Sequence, residues 1–150
     1  MKCLQEIRCQ GGQLIAVLVR ASFRRDGVNF VSRDDFPLQL GISGYNKGAK
    51  IEPHFHASRP IVIDKIQEVV HIERGRAIVS LYESHGEPFA SVEMQSGDTI
   101  LFVDGGHGFE MFEDTTIIEV KQGPYLGKDM DKTVLDSTRR SDSPMGWTHS

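Results

Sequence analysis

No stretch of this chain keeps a helical hydrophobic period over a dozen residues, and that absence governs what it can fold into. Its apolar residues come in short β-type runs closed by glycine-rich or polar turns. Residues 13–20 are bounded by Gly11-Gly12 and by a polar turn at 24–27. Residues 28–31, 36–45, 51–56 and 68–73 follow, the last turning at Arg74-Gly75. Residues 77–83 and 89–93 flank Ser84-His85-Gly86-Glu87, the layout of a hairpin. Residues 99–103, 109–112 and 116–121 complete the series. Such a chain is all-β, a sandwich or barrel with little helix, in which Leu14, Ala16 and Leu18 pack along one strand.

A length of 150 residues suits one domain with a useful core. The strand-like part covers residues 1–126. From Gly127 the chain turns polar and irregular, so 127–150 reads as a loosely held tail, with Trp147 available for docking on a partner subunit. The net charge of −4 is mild and builds no basic stripe, which argues against nucleic acid. The apolar run at 14–19 is too short for a membrane span and lacks a signal-peptide layout. Cys3 and Cys9, if joined by one extended strand, lie roughly 20 Å apart. They read as free thiols of a cytoplasmic protein.

One constellation carries chemistry. His54 and His56 sit two apart, so in a strand both imidazoles share a face. Alone, the pair is equally compatible with two surface histidines on an edge strand. Glu68 heads an apolar run, where a carboxylate is costly to bury unless paired or bound to a cation. His107 stands among Gly105, Gly106 and Gly108, which permit a tight turn or close backbone approach. Three imidazoles and one carboxylate from separate strands make an open metal site. His71 and Glu110 fall on the opposite faces from Glu68 and His107, and His85 lies in a hairpin turn. Phe109 and Met111 share the His107 face and supply an apolar wall. Lys121 suits an anionic substrate group or a surface pair with Glu119. Tyr45, Lys50 and Arg76 are further pocket candidates.

Taken in order, these residues resemble the cupin family. Five residues separate Gly48 from His54-Phe55-His56, and six separate Glu68 from Gly75, as in the first cupin motif. Gly97, Gly105 and His107 follow the second motif in outline. Three departures stand out. Eleven residues, 57–67, separate His56 from Glu68, a longer gap than the family's; Val103 occupies the motif's proline position; and His107 arrives one residue early. The segment ending at Tyr125 is similar to small cupins of bacterial surface-polysaccharide gene sets.

The resemblance implies a double-stranded β-helix, the jelly-roll barrel, with a divalent metal held by His54, His56, Glu68 and His107. Iron(II), manganese, nickel and zinc all suit that donor set. It also implies a homodimer and a metal-dependent enzyme on a small polar substrate, either a sugar or sugar-nucleotide isomerase or epimerase, or an oxygenase. A metal-dependent binding or sensing module without turnover is the alternative. Residues 57–67 serve as a lid or a dimer contact on this reading.

Overall fold

The structure, a computed structural model, describes residues 2–135. Among the described residues ten strands are arranged in three sheets, with one helical turn. β1 (Leu4–Arg8), β2 (Leu14–Val19), β8 (Thr99–Phe102), β5 (Glu68–Arg74) and β10 (Thr116–Lys121) form a five-stranded antiparallel sheet in that order. β6 (Arg76–Tyr82) lies between β7 (Pro88–Gln95) and β9 (Gly106–Met111) in a three-stranded sheet. β3 (Gly27–Phe30) and β4 (Gly41–Gly44) make a separate hairpin, and α1 (Lys128–Asp131) is a single helical turn. The chain is therefore all-β. No helix among the described residues is long and apolar enough to cross a membrane.

Alternation explains the packing. Val70 and Ile72 of β5 face inward with Ala16, Leu18 and Ile100 of the same sheet. Val79, Leu81 and Met94 of the three-stranded sheet meet them from the other side, all fully buried. A second cluster covers the outer face of the large sheet, where Phe36, Leu38 and Leu40 lie over Val17, Leu101 and Val69. β2 is thus apolar at every position because both of its faces are covered. Two glycines set the turns at the ends of the inner strands. Gly75 has φ +98° between β5 and β6, and Gly105 has φ +68° just before β9. A side chain at Gly105 would collide with the Tyr82 carbonyl.

Two expected strands come out differently. Residues 36–45 form a strand only over Gly41–Gly44, because Pro37 interrupts the ladder and 36–40 serves instead as the outer cover. Residues 51–56 form no strand. Pro53 lacks the N–H that a ladder needs, and charged Lys50 and Glu52 flank Ile51. The whole stretch from Tyr45 to Gln67 has no sheet pairing; it turns at Lys47-Gly48, where Ala49 N donates to the Asn46 carbonyl at 3.0 Å, and bends at Asp64-Lys65. The tail is described as far as Leu135, and it turns back over the sheets; Trp147 and the rest of 136–150 lie outside the described residues.

The two main sheets are joined at one end by a buried carboxylate. Asp98, 1% exposed, accepts hydrogen bonds from Arg20 Nη1 at 2.8 Å, Ala21 N at 2.8 Å and Gln95 N at 3.1 Å. Arg20 also donates to the Glu93 carbonyl on β7 at 2.6 Å. Replacing Asp98 with alanine removes the counter-charge of a part-buried guanidinium, which keeps only the Glu93 carbonyl, and leaves two amides without their acceptor. Urea denaturation of Asp98→Ala should show a loss of about 3–5 kcal/mol, while Arg33→Ala, which breaks a pair exposed on both sides, should leave the midpoint unchanged.

Candidate functional site

Glu68 is the first residue of β5, and strand parity sends its side chain inward with Val70 and Ile72. The residue before it is pinned: Gln67 N donates to Gln122 Oε1 at 2.9 Å, and Gln67 Oε1 accepts from Leu38 N at 3.3 Å. His107 is the second residue of β9 and pairs with Leu81 across the small sheet. The two side chains meet across the interior, with His107 Nε2 3.7 Å from Glu68 Oε2. That separation is longer than a hydrogen bond. Phe102 stacks on the His107 ring at 3.8 Å with planes 7° apart, and Phe109 meets both rings edge-on at 6.0 Å.

This meeting point opens into a cavity of about 690 Å³ between the sheets. Phe102, Phe109 and Ile117 give it apolar walls, while Tyr82, Ser84 and Thr133 bring hydroxyls. Glu119 and Lys121 enter from β10. Asp104 lies at the rim, where it is held by Lys65, by Gln13 Nε2 at 2.6 Å and by its own turn at Gly105 N, 2.7 Å away. A cavity of this size, mostly formed by rigid strands with a few converging polar groups, suits a small-molecule ligand.

The electrostatics of the pair are unusual. Burial raises the Glu68 carboxyl above its ordinary value, and neighbouring Glu119 raises it further, with Lys132 and Lys121 opposing. Burial pushes His107 down to about 4, and the charge of Lys132 adds to that. The imidazole is therefore neutral at pH 7, with a lone pair available. Glu68 is buried, yet among the described residues no donor hydrogen-bonds its carboxylate.

The other expected ligands are elsewhere. His54 and His56 lie on the unpaired 45–67 stretch, both exposed, with their rings 5.1 Å apart in a T-shaped arrangement. His54 Nδ1 lies 2.8 Å from the Glu52 carbonyl, which leaves Nε2 free. They form a pair with each other and do not stand with Glu68 and His107. Among the described residues no three His, Cys, Asp or Glu side chains are grouped closely enough to hold a metal ion. Of the pocket candidates, Phe109 and Lys121 line the cavity. Met111 shares the His107 face but sits at the exposed end of β9, and Tyr45 is half-exposed and away from the lining. Lys121 is paired with Asp131. His71 lies on the outer face, with Nδ1 2.9 Å from Thr99 Oγ1.

Several cavity residues carry little or no signal in the sequence. The parity of β10 puts Glu119 beside Lys121, so its place is readable from alternation. Phe102 gives no signal beyond being apolar. Asp131 and Lys132 give none, since they lie in a polar stretch with no periodicity. No protein-family model matches the chain, and no curated protein or solved structure matches it.

The depressed His107 has a consequence for stability. In the unfolded chain its imidazole titrates near 6.5. Between that value and about 4 the unfolded state binds a proton that the folded state refuses. Its contribution is complete above pH 6.5 and is withdrawn as pH falls to about 4, roughly 3 kcal/mol in all. The raised Glu68 works oppositely, losing its contribution as pH rises through the folded value. The His107 ring resonances should stay flat from pH 7 to 5 by NMR; a midpoint near 6.5 would mean that the ring is solvated.

Proposed function

We propose that this chain is a cupin-like metalloprotein that acts on a small polar substrate, a sugar derivative being the class the cavity suits best. The observation that carries the reading is Glu68: a buried carboxylate, without a hydrogen-bond donor among the described residues, facing a neutral imidazole. Burial disfavours its charged form, and a bound cation would restore the carboxylate. Two atoms bound to one metal at 2.0–2.2 Å each stand roughly 3–3.5 Å apart, close to the separation of Glu68 Oε2 and His107 Nε2.

Glu68 and His107 are thus half of a donor set. His54 and His56 are the proposed other half, reaching the cavity from the 45–67 stretch. Two features support that. The stretch is anchored at the cavity rim by the Lys65–Asp104 ion pair. Among the described residues β9, which carries His107, pairs only with β6 and keeps one edge open; an open edge is where a further segment can add as a strand. β10 is likewise open on one side. With strands added at both edges, the two sheets would become the jelly roll implied by the sequence resemblance.

A divalent metal held there would act as a Lewis acid toward a substrate oxygen. The chain's own residues do the rest. Phe102 and Phe109 exclude water from one side of His107. The hydroxyls of Tyr82, Ser84 and Thr133 and the Glu119 carboxylate bind a polyhydroxylated substrate. An isomerase or epimerase fits this polar lining better than an oxygenase with an apolar substrate. A homodimer is part of the reading, since Ile118 and Val120 lie half-exposed on the outer face of β10.

Elemental analysis of protein purified without an affinity tag or added metal tests the proposal. About one metal per chain is expected, falling more than tenfold in Glu68→Ala and His107→Ala while far-ultraviolet circular dichroism keeps its β signature. His54→Ala and His56→Ala should also lose metal. Loss in the first two alone would leave a centre without the loop histidines. Unchanged content in all four would end the metal reading.

A further inference from the structure

Resting on the homodimer of the proposed function, we infer that residues 61–63 of a second copy of this chain add as a strand along the open edge of β10, each copy serving the other across a two-fold axis. Two unpartnered features of one molecule match each other. The first is Ile61-Val62-Ile63, three β-branched apolar residues in a row without sheet pairing. Val62 is 88% exposed, and Ile61 and Ile63 are 56% and 46% exposed. Such a run suits a strand, and Pro60 stands just ahead of it, where a strand tolerates proline. The second feature is β10, which among the described residues is an edge strand of the five-stranded sheet.

The outer face of β10 continues an apolar surface that is covered next door. Val120 is in register with Val69 of β5, and Ile118 with His71. Val69 packs in the outer cluster beneath the 36–40 cover. Ile118 and Val120 belong to no such cluster among the described residues and are 52% and 50% exposed. A bare apolar edge of this kind is a template for another strand.

The chain's own 61–63 run is led away from that edge. Glu68 pairs with Lys121 on one side and with Phe102 on the other, so β8 lies on the far side of β5 from β10. Lys65 is held by Asp104, two residues past the end of β8. The tether draws the segment toward β8, whereas the run of a second copy approaches the β10 edge from outside. Residues 136–150 hold only Met145 and Trp147 as large apolar side chains, too few to cover both the run and the edge. The area also fits a second copy. With Ile51 and Phe55, exposed on the same stretch, these side chains present on the order of 800 Å² of surface, about what one partner gives to a stable dimer. Because β10 carries Glu119 and Lys121 into the cavity, the added strand would fix one wall of the site from outside.

The test uses the full-length chain with Cys3→Ser, Cys9 being buried. In that background Val62→Cys/Val120→Cys, both at exposed positions, is treated briefly with a short bismaleimide, and the linked peptides are identified by mass spectrometry. A covalent dimer joining position 62 of one copy to position 120 of the other is expected. In light scattering on dilution the wild type should be a dimer, and Val62→Lys or Val120→Lys should raise the dissociation constant at least tenfold, since lysine blunts a strand edge. A 62–120 link within one chain, a dimer linked only 120 to 120, or a dissociation constant unmoved by both lysine variants overturns the strand addition and leaves a homodimer of another geometry. A monomeric wild type removes the dimer from both readings, while the metal content of the same protein decides the centre independently.

Discussion

The Asp98 carboxylate ties the five-stranded sheet to the three-stranded one where no strand pairing does. It takes donors from Arg20 and Ala21 after β2 and from Gln95 at the end of β7, and Arg20 reaches on to the Glu93 carbonyl. The backbone of the same turn is bound to β5, through Ile72 N to Asp98 O at 3.0 Å and Gly97 N to Ile72 O at 2.7 Å. With this end clamped, the apolar faces of both sheets are held against each other, and Val70, Ile72, Val79 and Leu81 lose all contact with water. A buried carboxylate is tolerable here because every donor it needs is supplied.

Four residues back along β5 from Ile72, the same inward face carries a second buried carboxylate, and there no donor among the described residues hydrogen-bonds it. Glu68 and Asp98 are both acidic groups in the interior, yet one is satisfied by a guanidinium and two amides and the other faces an imidazole held neutral by its own burial. The contrast separates a carboxylate that the protein satisfies from one that it does not. Asp98 closes the sandwich; Glu68 lies where the sheets part into a cavity and where a ligand can provide what the protein does not.

The cavity is completed by pieces distant in sequence. Lys65 anchors the unpaired 45–67 stretch to Asp104 at the rim, while Asp131 anchors the segment after β10 to Lys121. Both anchors are single ion pairs joining irregular chain to rigid strands. The β scaffold provides the cavity's geometry, and the two attached segments bring charged side chains to it.

Strand positions are legible in the sequence because alternation is a local property. The parity of 68–73 puts Glu68, Val70 and Ile72 on one face and His71 on the other, and the structure keeps that division through the His71–Thr99 contact outside. The hairpin at 84–87 and the turn before His107 are equally readable, since a glycine with φ +68° and no room for a side chain leaves its mark in residue type alone. Pairing is another matter. Residues 51–56 have the composition of a strand, but a strand needs a partner edge, and Pro53 and the neighbouring charges leave His54 and His56 facing each other on chain without sheet pairing. Nothing local marks Lys132 as a cavity residue or Phe102 as the ring beneath His107. Those placements depend on contacts between residues far apart along the chain, which the three-dimensional packing of two sheets and a returning tail alone decides.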